Sequence, residues 1–170
     1  MKPAHIAFIL LIDLLWAFNI VAIKESVLAM PPLLAVALRY AVVLLVCATS
    51  LRIVEGRMPL VLATGFVTGA LQFGLGGYSY QVATNLSALA IAGQLGVPLS
   101  LILAILIDGE RIAWKRTIGI LLAISGVTLL VFDPRIVDER LGILLTFGAS
   151  LCWASGNLLF KRLTGVPVLT

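Results

Sequence analysis

The stretch AHIAFILLIDLLWAFNIVAI, Ala4 to Ile23, decides the fold class. It is apolar almost throughout and carries a single formal charge, Asp13. A helix crossing the hydrocarbon core of a bilayer needs about 20 such residues. The run is too long for a signal-peptide core, and no small-x-small cleavage site follows it. It reads as a retained first membrane helix.

Working outward, five further stretches of this kind follow: Leu33–Leu51, Leu60–Tyr80, Leu86–Ile107, Thr117–Phe132 and Leu141–Phe160. The connections carry the helix breakers. They include Met30-Pro31-Pro32, Glu55-Gly56-Arg57-Met58-Pro59, Asp108-Gly109-Glu110-Arg111 and Asp133-Pro134-Arg135. Proline lacks the amide donor and crowds the preceding turn, so helices stop there. The expected fold class is an all-α membrane protein with six transmembrane helices.

Composition agrees. The 170 residues are 61% hydrophobic and 12% charged, with a mean hydropathy of +1.14. A soluble domain carries roughly twice that charged fraction. This excludes an ordinary globular enzyme, a disordered chain and a nucleic-acid arm. The net charge of +4 sits at the ends of the apolar runs. Cys47 and Cys152 lie inside runs and read as small buried hydrophobes. One histidine, His5, without a nearby Cys, Asp or Glu cluster, argues against a metal centre. No Gly-rich phosphate loop and no nucleophile–base pair stands out, so no catalytic residue, metal ligand or cofactor is expected.

Orientation follows from Lys and Arg. With the N-terminus in the cytoplasm, the inner segments hold Lys2, Arg52, Arg57, Arg111, Lys115, Arg116, Lys161 and Arg162. The outer loops hold Lys24, Arg135 and Arg140, and Arg39 is left within a span. The expected location is the cell (inner, plasma) membrane, multi-pass, with the N-terminus cytoplasmic.

The chain partly repeats itself. Shifted by 137 residues, Ile6 meets Ile143, Leu14 meets Leu151, Trp16 meets Trp153, Ala17 meets Ala154 and Lys24 meets Lys161. An asparagine follows each Trp-Ala pair, Asn19 and Asn157, and a proline follows each Lys, Pro31 and Pro167. With six spans the two copies are the first and the sixth, so they cross in opposite senses. That is the plan of an inverted-topology repeat. Residues 1–134 read as one five-helix repeat and 135–170 as the start of a second. The sequence stops at Thr170, where a seventh helix would begin, so the expectation is a truncated product that inserts but does not transport alone.

These motifs carry a resemblance. Trp16-Ala17-Phe18-Asn19 ending at Lys24, Met30-Pro31-Pro32 leading to Leu38-Arg39-Tyr40, Gly109-Glu110-Arg111 with Gly119 and Gly126, and Trp153-Ala154 with Asn157 and Lys161 together resemble the EamA family of the drug/metabolite transporter superfamily. The resemblance implies a secondary transporter that exports small polar metabolites, such as amino acids, by alternating access. Its look is nearest to the cysteine and O-acetylserine exporter type. Such proteins have ten helices, so four are missing here. The alternative is a non-transporting integral membrane assembly or sensory subunit. The implied partners are membrane lipid and a small polar metabolite, with a homodimer or a separate second half covering the open polar face. The charge bias argues against an antiparallel dimer.

Six residues are candidates for substrate binding or coupling: Asp13, Trp16, Asn19, Arg39, Gln72 and Gln94. A charge at the centre of a membrane helix costs about 2.5–3.5 kcal/mol on insertion scales. Asp13 and Arg39 differ in depth by only about 4–5 Å at 1.5 Å per residue, so they are expected within pairing reach. The pair reads either as a proton-linked carboxylate held in a cavity or as a static packing contact. The resemblance supports Arg39 and not Asp13. Gln72 and Gln94 lie well inside spans and need partners or a wet cavity. Tyr78, Tyr80, Gln81 and Asn85 read as an interfacial belt. Trp16 and Trp153 read as substrate platforms or as packing residues. Pro98 is expected to kink the fourth helix and free the Gln94 carbonyl, for a ligand or for a packed neighbour. Glu110 reads as a solvated loop group or as a gate contact.

Overall fold

The computed structural model describes residues 3–50, 53–110, 113–131 and 138–165. Among them every regular element is helical. In lipid no water satisfies free N–H and C=O groups, and a helix bonds them within itself.

Helix α1 spans Pro3–Ala29, about 40 Å at 1.5 Å per residue. It runs past the expected Ile23 because Lys24, Glu25 and Ser26 stay helical, with the Ser26 hydroxyl donating to the Ala22 carbonyl. The chain turns at Pro31, whose backbone is extended (φ −54°, ψ 137°). Helix α2, Pro32–Cys47, starts with proline where no amide bond is needed. The buried Pro32 lies against Gly77.

The third pass is α3 (Met58–Gly65), a π-helical segment Phe66–Leu71, and α4 (Gln72–Val82). The fourth is α5 (Leu86–Gly93) and α6 (Gly96–Asp108), broken at Gln94–Leu95. Helix α7 spans Trp114–Val131 and α8 spans Arg140–Arg162. Asn85 caps α5 by accepting from the amides of Ser87 and Ala88. Gly109 ends α6 in the left-handed region (φ +66°), where the Gly109 and Glu110 amides return to the carbonyls of Ile105 and Ala104.

Among the described residues, six helical passes fall on the six expected stretches. Four of them are long and apolar enough to cross a membrane: His5–Ala29, Met58–Val82, Leu86–Asp108 and Arg140–Arg162. Pro32–Cys47 is a shorter apolar helix.

Helix α8 is the hub. It packs against α4, α5 and α6, while α1 and α2 lean on α4. Ala83, Leu89, Ala92, Val127 and Ile143 form a small apolar core beside Tyr80 and Leu95. Lys24 near the end of α1 meets the last turn of α4, and Glu139 before α8 meets the start of α5. Lys161 at the other end of α8 meets Asp108 at the end of α6. These contacts give the bundle a Lys24 end and a Lys161 end, and they make α8 run opposite to α1.

Candidate functional site

Thr146, Ser150, Trp153, Asn157 and Lys161 of α8 lie on one stripe, three or four residues apart, which is one face of a helix. At the Lys24 end the Ser79 hydroxyl donates to the Gly142 carbonyl (2.9 Å) and lies 2.5 Å from Thr146 Oγ1. One turn on, Ser150 Oγ reaches the Gly93 carbonyl at 3.5 Å. Next, Trp153 packs on Gly96, where a Cβ would stand 3.0 Å from the indole. Asn157 Nδ2 then donates to Ser100 Oγ (3.2 Å). Lys161 closes the stripe, paired with Asp108 (2.8 Å) and Glu110 (2.5 Å). Each of these groups has found a partner on a neighbouring helix, as polar groups in lipid must.

The Pro98 expectation resolves toward packing. The Gln94 carbonyl is not left free for a ligand: it accepts from the Val97 amide at 3.4 Å. Trp153 fills the bend against Gly96. Proline removes its own donor, and the chain compensates with a tighter i→i+3 bond.

The six expected site residues are dispersed. Asp13, Trp16 and Asn19 all lie on the outward surface of α1, with Trp16 69% exposed. Arg39 sits on α2 with its guanidinium 4.4 Å from the centre of the Phe73 ring, a cation–π contact. Tyr40 meets the same ring edge-on at 5.9 Å and covers Gly69. Gln72, next to Phe73, is half-buried, and Gln94 is exposed at the α5–α6 break. The expected contact between Asp13 and Arg39 is not formed. Among the described residues the ion pairs are those of Lys161, and Arg39 faces an aromatic ring instead. The ridge of α2 that carries Arg39 leans on α4, while Asp13 is exposed on α1.

Two apolar grooves complete the surface. One of about 400 Å³ is lined by Leu95, Pro98, Ile102, Val127 and Phe147. Another, of about 470 Å³, is lined by Leu33, Tyr40, Gly65 and Gly69. Among the described residues no group of three His, Cys, Asp or Glu is placed to hold a metal ion.

Sequence reasoning passed over Glu139, Thr84, Ser79, Thr146 and Ser150. The signal was present: Glu139, Thr146, Ser150, Asn157 and Lys161 recur at helical spacing through an apolar run.

Compared with known proteins, residues 4–132 match the EamA-like transporter family. The chain is 29% identical over 158 residues to an Escherichia coli protein described as a probable amino-acid metabolite efflux pump. It is 30% identical over 162 residues to a Salmonella typhimurium protein of the same description. Each match covers 91% of this chain and 52% of the relative, so the chain spans about half the length of these curated relatives. No solved structure matches.

Proposed function

The chain belongs to the EamA-like transporter family, and from that premise we propose that it serves in secondary transport, exporting small metabolites of the amino-acid class by alternating access. It is a multi-pass membrane protein. The observation that carries the reading is the pair α1 and α8. Both carry Trp-Ala, a following Asn and a terminal Lys, and they cross the bundle in opposite senses. Two like halves of opposite sense are the framework on which alternating access operates. In this reading residues 1–134 are one repeat and 135–170 begin the next, and no enzymatic step is involved.

Arg39 is the substrate-facing charge in this proposal. Among the described residues its nearest counterpart is the Phe73 ring and not a carboxylate. A membrane-embedded guanidinium held only by a ring keeps donors for a carboxylate ligand. Asp13, Trp16, Asn19, Gln72 and Gln94 are the further candidates on the same reading.

The test is efflux of labelled amino acids from vesicles. One arm holds this chain alone, and the other holds it fused to the part of the Escherichia coli relative beyond the match. Arg39→Ala is expected to abolish efflux and Arg39→Lys to retain part of it. Wild-type efflux from well-expressed Arg39→Ala would remove Arg39 from the mechanism. No efflux in either arm would favour a non-transporting membrane subunit.

The orientation proposed is N-terminus inside, which puts the Lys24 end outside. A single cysteine placed at residues 133–140 should then react with an impermeant probe added outside, and one at Arg57 should not. The reverse pattern would invert the assignment.

A further inference from the structure

Glu139 stands just before α8 and is 3% exposed. Its Oε1 accepts from the Thr84 amide (2.9 Å), the Thr84 hydroxyl and the Asn85 amide (2.7 Å). Its Oε2 is enclosed and has no donor among the described residues. A buried acceptor without a partner is costly, more so when it carries charge, and each case in a folded protein calls for a cause.

Among the described residues the charged and titratable neighbours do not supply that donor. Lys24 on α1 is the cation at this turn, yet it gives its bonds to the carbonyls of Tyr80 (2.8 Å) and Ala83 (2.6 Å). Glu25 on α1 is exposed, as are Asp138 and Arg140 on either side of Glu139. From α4 the titratable group on this turn is Tyr80, and the first turn of α5 offers only Asn85 and Ser87.

We infer that Glu139 is a proton-binding site at the Lys24 end, its enclosed Oε2 taking the proton while Oε1 keeps its hold on the start of α5. As a coupling step this rests on the transport reading above. A proton fits better than a metal cation. A metal ion needs several further oxygens, and those near the turn are spent. Lys24 holds the Tyr80 and Ala83 carbonyls, and Asn85 Oδ1 already accepts from Ser87 and Ala88. A proton bonds to Oε2 itself and removes the buried charge, the costlier part of burial.

The site has a mechanical consequence. The turn Ala83–Asn85 is gripped from both sides: α1 holds the carbonyl end of α4 through Lys24, and α8 holds the amide end of α5 through Glu139. As an anion, Glu139 makes charge-assisted bonds and complements the positive end of α5. When the proton moves from water to Oε2, Oε1 remains an acceptor but a neutral one, and bonds of that kind are about half as strong. Proton binding therefore loosens α8 from the turn while α1 stays attached.

The test uses the purified chain and acid-induced infrared difference spectra, a readout that needs no transport. Acidification should raise a protonated-carboxyl band that exchanges slowly with deuterium, and Glu139→Gln should lack it. Wild-type protein carrying isotope-labelled glutamate assigns the slow band to a glutamate without a substitution, and Glu139 is the buried one of the four, with Glu25, Glu55 and Glu110 exposed, so misfolding of the variant does not decide the matter. Identical spectra for wild type and Glu139→Gln, or a slow band that ignores the glutamate label, would overturn the site. Carboxylate changes driven by sodium at fixed pH, lost in Glu139→Gln, would overturn the proton in favour of a metal cation. In vesicles the pH dependence of efflux should go flat in Glu139→Gln, and a retained dependence would overturn the coupling role. Absence of any efflux by wild type would count against the transport reading and leave the infrared result standing.

Discussion

Trp16 and Trp153 occupy the same place in the two copies of one motif, yet their surroundings are opposite. Trp16 is 69% exposed on a helix with no buried residue in its apolar window. Trp153 is 36% exposed and lies against Gly96 on the helix that most of the bundle packs around. The motif itself therefore does not dictate burial. In lipid the tails are as apolar as the side chains, so a tryptophan is held by fit rather than by escape from solvent. Helix α8 found a groove between α4 and α6 that fits it. Helix α1 touches the bundle mainly through its last turns, where Val27 is buried and Lys24 is bonded.

A second contrast lies at another pair of aligned positions. Gly156 and Asn19 are equivalent under the 137-residue shift. A Cβ at Gly156 would collide with Thr68, which the π-helical segment presents to α8. Overpacking typically costs about 1–3 kcal/mol, and a whole isobutyl group against the short, branched Thr68 side chain sits at the top of that range. Gly156→Leu is expected to destabilise by about 3 kcal/mol and Asn19→Leu by less than about 0.5 kcal/mol, the usual span of an outward position. Reversible unfolding in mixed micelles measures both. Equal losses would mean that α1 is as tightly packed as α8.

A smaller difference is expected for the tryptophans. Trp153→Ala removes the filler of the α5–α6 bend and should cost about 2 kcal/mol, below the usual value for a fully buried ring because part of it is exposed. Trp16→Ala should change stability by less than about 0.5 kcal/mol. The same unfolding assay decides.

The lysines should differ least in stability and most in their response to salt. Lys24→Met removes two bonds to carbonyls at the end of α4, a loss of about 1–2 kcal/mol. Lys161→Met breaks exposed ion pairs, so its effect should be smaller and should shrink further as salt rises. A salt-insensitive Lys161→Met penalty would show that the pair is less accessible to ions than its exposure implies.

Much of the fold was legible in the sequence. The six apolar runs became the six helical passes, Pro31-Pro32 made the first turn, and Gly109 ended α6. Less of the site was legible. Depth alone suggested that Asp13 and Arg39 would meet, but depth says nothing about azimuth, and Arg39 turned to Phe73. The interruption expected from Pro98 falls at Gln94–Leu95, inside the span where Gln94 was placed, while the Gln94 carbonyl was recaptured locally. Glu139 escaped notice because a carboxylate in a loop next to Asp138 and Arg140 looks solvated until the partner helix is known.

The sequence by itself determined where the helical passes lie, though not their exact ends, because in a bilayer each helix satisfies its own backbone and is selected by local hydropathy, proline and glycine. It also carried Trp-Ala, a following Asn and a terminal Lys twice, on the stretches that became α1 and α8. Only the tertiary structure decided which copy is enclosed, which polar groups meet, and that a single turn is held by Lys24 on one side and Glu139 on the other. The reason is physical. Helix–helix contact in lipid depends on steric fit and hydrogen bonds between residues more than fifty positions apart, as between Lys24 and Ala83 or Ser79 and Gly142, and no local pattern encodes that fit.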